Sequence, residues 1–221
     1  MIGVDAAAIV ASLMRELWLA TGNKKKRAEL ERMLAPLAVT LRTVDELGVP
    51  FAPDEDQPDF AGNARIKAQA LARLARGVAI ADDSGLCVDA LGGRPGVHSA
   101  RYGGPGLDDR QRLLRLLEEI AHVPDAQRTA HFTSSICVCG PDGEVRVAVE
   151  EICEGMLLRA PQGVGGFGYD PIFVPLQALA QSPQPTFAEL DPASKDAWSH
   201  RGKALRKLLQ HLRSDPALLA P

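Results

Sequence analysis

Short apolar runs alternate with amphipathic stretches along the first part of the chain, and the alternation sets out its architecture. Leu17 to Ala20 reads as a strand, Lys25 to Leu34 as a helix, and Val39 to Thr43 as a second strand. After an acidic loop, Phe60 to Arg76 has the spacing of a helix and Val78 to Ala81 that of a buried strand. Strands separated by helices predict an α/β sheet. Beyond an irregular Gly/Pro-rich stretch, Gly92 to Gly106, a helix is expected over Asp108 to Ala121, its inward face carrying Leu113, Leu116, Leu117 and Ile120. Two long strand-like runs follow, Thr129 to Cys139 and Glu144 to Glu154. The Asp142-Gly143 pair between them is a strong hairpin signal, so a second lobe built around an antiparallel pair is expected. The chain continues through a glycine-rich loop (Gly163 to Asp170), a short strand (Ile172 to Val174), a proline-containing excursion, and a helix that Ser199 can cap, running through Leu212. No internal repeat or low-complexity linker interrupts this order.

Composition narrows the picture without changing it. With 221 residues, 46% hydrophobic and 24% charged, the chain has the profile of a soluble globular protein able to bury one larger core or two lobes. A net charge of -3 argues against a broad basic face for nucleic acid and leaves room for a local cationic pocket. A small phosphorylated ligand fits that balance better. The four cysteines (Cys87, Cys137, Cys139, Cys153) lack Cys-x-x-Cys spacing, which favours a reducing, cytoplasmic setting over a disulfide framework. Residues 1–16 are Ala-rich but carry no basic leader region, and Arg15-Glu16 ends the apolar run well short of a membrane span. They read as a flexible extension, with Met14 a candidate start; 17–213 reads as one two-lobed unit and 214–221 as a tail.

Candidate chemistry collects in a few places. In Ala79-Ile80-Ala81-Asp82-Asp83-Ser84-Gly85-Leu86 an apolar run meets two adjacent carboxylates and a Ser-Gly pair. Two readings compete: a turn closing a buried strand, or a strand handing a metal-binding acid to a cleft. Lys24, Lys25, Lys26 and Arg27 crowd a helix N-terminus, where the dipole disfavours cations. Either the turn is simply solvated, or an anion such as a triphosphate sits there, with Thr21, Gly22 and Asn23 supplying hydrogen bonds and close backbone approach. Asn63 and Lys67 share a helix face, as a surface pair or as groups pointing into a cleft. Gly163 to Gly168 formally matches Gly-x-Gly-x-x-Gly, but Pro171 and Pro175 stand where a dinucleotide-binding helix has to begin, so that reading is rejected. The loop instead either presents Phe167 for stacking beside Tyr169 and Asp170 or buries both aromatics in a turn. No histidine has zinc spacing with another, and neither a nucleophile elbow nor a Walker-type loop is present.

Taken in order, Thr21-Gly22-Asn23-Lys24-Lys25-Lys26, Phe60-Ala61-Gly62-Asn63-Ala64 with Lys67-Ala68, Asp82-Asp83-Ser84-Gly85-Leu86, Pro95-Gly96 with Ser99-Ala100-Arg101-Tyr102, Gly166-Phe167-Gly168-Tyr169-Asp170 and Ser199-His200-Arg201 resemble the inosine triphosphatase family of non-canonical purine nucleoside triphosphate pyrophosphatases. The resemblance spans roughly Leu17 to Leu212. It implies two lobes around a long mixed sheet with flanking helices and an active-site cleft between them. It further implies a homodimer that converts dITP, ITP, XTP and dXTP to the monophosphate and pyrophosphate; the charge balance, the cysteines and the missing apolar span already predict a cytoplasmic protein with no nucleic-acid or membrane partner. By the same carry-over, Thr21 to Lys26 hold phosphates, Asp83 is catalytic base and Mg2+ ligand, Ser84 contacts substrate, and Phe167, Gly168, Tyr169, Asp170, Lys195, His200 and Arg201 line the nucleoside site. Donors at Lys195, His200 or Arg201 would pair with a purine 6-carbonyl and stand unpaired against adenine's amino group, a distinction that can reach about 10⁴-fold. One position departs from the family pattern: Gly62 stands where a glutamate is usual, so Asp82, Asp59 or a water is expected to complete the metal site. A non-catalytic purine nucleotide sensor, or a pyrophosphatase for other modified nucleotides, is the alternative.

Overall fold

The computed structural model describes residues 15–37 and 39–220; the extension expected over 1–16 falls almost wholly outside them. Among the described residues six strands form one mixed sheet: β1 (Glu16–Leu19), β2 (Thr40–Thr43), β3 (Ala79–Val88), β4 (Thr129–Cys139), β5 (Val145–Leu157) and β6 (Phe173–Pro175), in the order β2-β1-β3-β4-β5-β6. Strand β1 runs parallel to β2 and β3, whereas β3 to β6 are antiparallel, each to the next. Helices α1 (Lys24–Leu34), α2 (Phe60–Ala75), α3 (Asp109–Glu119), α4 (Pro192–Trp198) and α5 (His200–Ser214) flank it. Helix α4 lies within the stretch expected to be an irregular excursion; Asp191 caps it and Pro192 opens it.

Strand side chains alternate between faces, and the cores follow that alternation. Ile80, Ile136, Val138 and Val149 pack with Leu30 and Leu34 of α1 and with Leu205, Leu208 and Leu212 of α5. Within the segment expected to be a tail, Leu219 is buried in this same core. On the opposite face Ala79, Ala81, Cys137 and Cys139 meet the small residues Ala64, Ala68 and Ala72 of α2, which let helix and sheet approach closely. A third core, with Leu86, Phe132, Phe173, Phe187 and the α3 residues Leu113, Leu116 and its neighbour Ile120, occupies the far end of the long strands. The long mixed sheet with flanking helices that the resemblance implies is present, and β3, β4 and β5 run continuously from one core to the other.

Strand β3 is longer than its sequence predicts. It does not end in a turn after Ala81 but continues through both aspartates to Val88, paired with β4 at every position from Ala79↔Cys139 to Val88↔Ala130. Carboxylates can ride inside a strand when cations reach them from the flanking helices, as they do here. Strand β1 pairs with β3 only at Ala79 and Ile80, so from Ala81 to Leu86 the other edge of β3 carries no strand among the described residues. The loop from β1 into α1 lies beyond that open edge. Gly85 fits the crowded stretch because a Cβ there would lie 2.5 Å from both the Gly96 carbonyl oxygen and Ser99 Oγ.

Candidate active site

Asp82 and Asp83 are neighbours in a strand and so face opposite sides of the sheet. Asp82 turns toward α1 and α5. Its Oδ1 accepts a 2.6 Å hydrogen bond from Ser134 Oγ, and its Oδ2 meets Lys26 Nζ at 3.0 Å and Arg201 Nη2 at 3.2 Å. Burial alone would raise this carboxyl, but Arg201 and Lys26 override it and hold Asp82 well below the usual carboxylate range. Ser84, on the same face, accepts from Arg201 Nη2 at 2.7 Å. Glu29 of α1 ties Arg201 to Lys195, bonding the latter at 2.8 Å, and Lys195 also reaches Asp170 Oδ2 at 2.7 Å. Burial lowers Lys26, and Asp82 only partly restores it. The network thus holds three cations against three buried or nearly buried carboxylates.

Asp83 turns toward α2, where its Oδ1 lies 2.7 Å from Lys67 Nζ. The same ammonium touches Glu55 Oε2 at 2.8 Å. Burial raises the Asp83 carboxyl above its ordinary value and outweighs Lys67, a shift in the direction a proton acceptor needs. Lys67 would be lowered by burial, but Asp83 and Glu55 prevail and raise it. Asn63 does not join this group. Its Oδ1 accepts from Gln57 N at 3.1 Å and its Nδ2 donates to Gln57 O at 3.3 Å, so it clamps the loop before α2 instead of meeting a ligand.

That loop also accounts for Gly62. A Cβ at position 62 would sit 2.7 Å from Gln57 Cβ, leaving no room for a glutamate. Of the two carboxylates expected to substitute, Asp82 is engaged on the other face by Ser134, Lys26 and Arg201, and Asp59 uses its Oδ1 to cap α2, accepting from Gly62 N at 2.6 Å. Glu55, which no sequence motif singles out, is the second carboxylate beside Asp83.

On the α1/α5 face lies a cavity of about 100 Å³ between Phe132, Phe167, Tyr169, His200 and Arg201. Asn23 caps α1 with its Oδ1, accepting from Lys25 N at 2.9 Å and Lys26 N at 3.2 Å. Thr21 Oγ1 accepts from Asn23 N at 3.2 Å, and a side chain at Gly22 would meet open space. Lys24 is exposed, while Lys25 Nζ donates to the Gly166 carbonyl at 2.9 Å. The glycine-rich loop treats its two aromatics differently. Tyr169 is buried in the far core, donating to Ser99 O at 3.1 Å, whereas Phe167 is half-buried with Lys195 Nζ 4.7 Å and Arg201 Cζ 5.7 Å from its ring centre. Gly168 N donates to Asp109 Oδ2 at 3.0 Å and Phe167 N to Asp170 Oδ2 at 2.8 Å, which fixes the loop.

His200 stacks on Phe132 with ring centres 4.7 Å apart and planes at 9°. Burial, reinforced by Arg201, drives it well below the ordinary histidine range, so it is neutral. A buried neutral histidine opposes folding in acid, because the unfolded chain takes up a proton that the folded one refuses. Its stabilising effect is complete above pH 6.5 and is lost as pH falls below that value. Wild-type unfolding free energy, measured by urea titration from pH 8 to 5, will therefore decline on the acid side by up to about 1.4 kcal/mol per pH unit. In His200→Gln that component of the slope will vanish; an unchanged slope would reject this assignment.

Fold and site together define an α/β protein suited to a small anionic, aromatic ligand lying across the open edge of one strand, with a cationic and aromatic cavity on one face and a carboxylate-lysine cluster on the other. The chain belongs to the Ham1 family, whose sequence profile matches residues 17–211. It is 46% identical over 197 residues to a dITP/XTP pyrophosphatase of Geobacillus kaustophilus, covering 88% of this chain and 93% of that one. A dITP/XTP pyrophosphatase of Thermus thermophilus is likewise 46% identical over 198 residues, covering 90% of this chain and 92% of that one. Among solved structures, a HAM1 protein from Coxiella burnetii superposes with a TM-score of 0.80 at 38% identity, covering 91% of this chain and 100% of that one.

Proposed function

We propose that this chain hydrolyses non-canonical purine nucleoside triphosphates, dITP, ITP, XTP and dXTP, to the monophosphate and pyrophosphate. The observation that carries this reading is the division of labour across β3: an aromatic and cationic cavity on one face, and a base-and-lysine cluster on the other, joined at the unpaired edge from Ala81 to Leu86. The relatives named as dITP/XTP pyrophosphatases support it.

Among the described residues no three His, Cys, Asp or Glu side chains cluster as a metal cage. Magnesium ordinarily needs only one or two carboxylates besides substrate phosphates, and Asp83 with Glu55 supplies two hard oxygen donors around one cationic position. The residues therefore fit Mg2+, which would neutralise developing phosphate charge when bound. The chain's own groups do the rest. Asp83 accepts the proton of the attacking water as the bond between the α and β phosphates breaks, and Lys67 and the lysines of α1 balance charge on the departing pyrophosphate. Phe167 offers the stacking face, while His200, Arg201 and Lys195 flank the base. A cytoplasmic homodimer acting on free nucleotides, with no nucleic-acid or membrane partner, completes the reading; no described helix is long and apolar enough to cross a membrane.

Purified protein with Mg2+ will release pyrophosphate from ITP and XTP, giving IMP and XMP by chromatography, with little AMP or GMP from ATP and GTP. Tight ITP binding without pyrophosphate would favour a sensor, and equal turnover of ATP would overturn the substrate class.

A further inference from the structure

Among the described residues just two buried side-chain polar atoms lack a hydrogen-bond partner, Arg112 Nε and His200 Nδ1, and both belong to residues lining the same cavity. Buried polar atoms are almost always satisfied, so two orphans on residues around one cavity point to a ligand that completes them. The family resemblance covers His200 but does not draw attention to Arg112. Helix α3 sends two side chains to the cavity. Asp109 anchors the loop that presents Phe167 through Gly168 N, and Arg112, one turn on, forms no ion pair and no side-chain hydrogen bond among the described residues. The other guanidinium of the cavity, Arg201, is by contrast held by Asp82 and Glu29.

The position of Arg112 says which part of a ligand it meets. Phe132, in the wall it shares, pairs with Leu86, three residues along the β3–β4 ladder from the Asp83–Ser135 pair, or roughly 10 Å from it. That separates a base from the phosphate at which Asp83 acts. The surroundings at this end are aromatic: Phe132, Tyr169 and Phe167. A guanidinium is purely a donor, and its fork matches two adjacent acceptors. Hypoxanthine and xanthine present such a pair, O6 and N7, whereas adenine replaces O6 with an amino donor.

We infer that Arg112 is a specificity-determining residue that recognises the 6-oxo edge of the purine. The inference rests on the substrate reading above and deepens it. It also explains why guanine, which shares the O6/N7 edge, must be rejected by other groups.

Calorimetric binding of IMP and AMP, the products, tests this apart from turnover. In Arg112→Met the affinity for IMP will fall about 10-fold or more while that for AMP stays within about 2-fold, and the ratio of kcat/KM for ITP over ATP will fall in parallel. Arg112→Lys, which returns one donor, will recover part of the IMP affinity. Equal losses for IMP and AMP would place Arg112 on ribose or phosphate oxygens and overturn the inference, as would no loss at all. Wild-type protein that binds IMP selectively yet releases no pyrophosphate from ITP would reject the hydrolase reading while leaving Arg112 testable by binding alone. Melting temperatures of both variants will check that α3 stays folded.

Discussion

Replacing Asp83 with asparagine will lower kcat for ITP by about 10²- to 10⁴-fold, the range associated with loss of a positioned general base. The same variant will fold about as stably as the parent. Burial already disfavours the Asp83 carboxylate, so a neutral amide of the same shape removes a penalty along with an ion pair, and Lys67 keeps Glu55 as its partner at 2.8 Å. Single-turnover pyrophosphate release together with thermal unfolding separates the two effects. Activity retained within about ten-fold would remove Asp83 from the reaction, and a melting temperature far below wild type would make it a structural residue.

Its neighbour will show the reverse pattern. Asp82→Asn will cost about 3–5 kcal/mol of stability at pH 7, because the buried Arg201 and the partly buried Lys26 both lose a buried counter-charge. The pH dependence carries a further signature. Asp82 has its carboxyl pushed below the ordinary value of 3.8, so its contribution is present above that pH and is lost as pH falls beneath it. Urea denaturation of wild type will show that acid loss, and Asp82→Asn will show a flatter profile below about pH 4. A stability change under about 1 kcal/mol would mean that the buried charge network reorganises around the amide. Two adjacent aspartates are thus expected to separate cleanly, one in rate and one in stability.

Local features are legible in the sequence, whereas long-range ones are hidden. Strand β4 is readable at its observed bounds, Thr129–Cys139, because a long apolar run ends at an Asp-Gly hairpin signal. Ser199 has the chemistry of a cap and accepts from Gly202 N at 3.1 Å. Strand β3 reads too short because Asp-Asp-Ser-Gly has turn chemistry, and only pairing with β4 and the cations of α1, α2 and α5 make it a strand. Helix α4 hides in a proline-containing stretch, although Asp191-Pro192 is a cap followed by a helix-opening proline. Most candidate ligand-binding residues gather at the open edge of β3, but Asn63 does not, since its amide clamps Gln57. Glu29, Glu55, Asp109 and Arg112 carry no motif. Glu29 alone has a usable sign: it lies three residues after Lys26 and so shares its helix face.

The alternation at β3 also decides what kind of length change this protein can carry. Inserting a single residue between Ala81 and Asp82 turns every later side chain of the strand onto the other face. Leu86 would leave its core, and the two aspartates would trade surroundings, each arriving among partners tuned for the other's ionisation. Point substitutions divide the roles of the pair, but a one-residue insertion abolishes both at once, which makes this strand a fixed ruler beside loops that can lengthen at little cost.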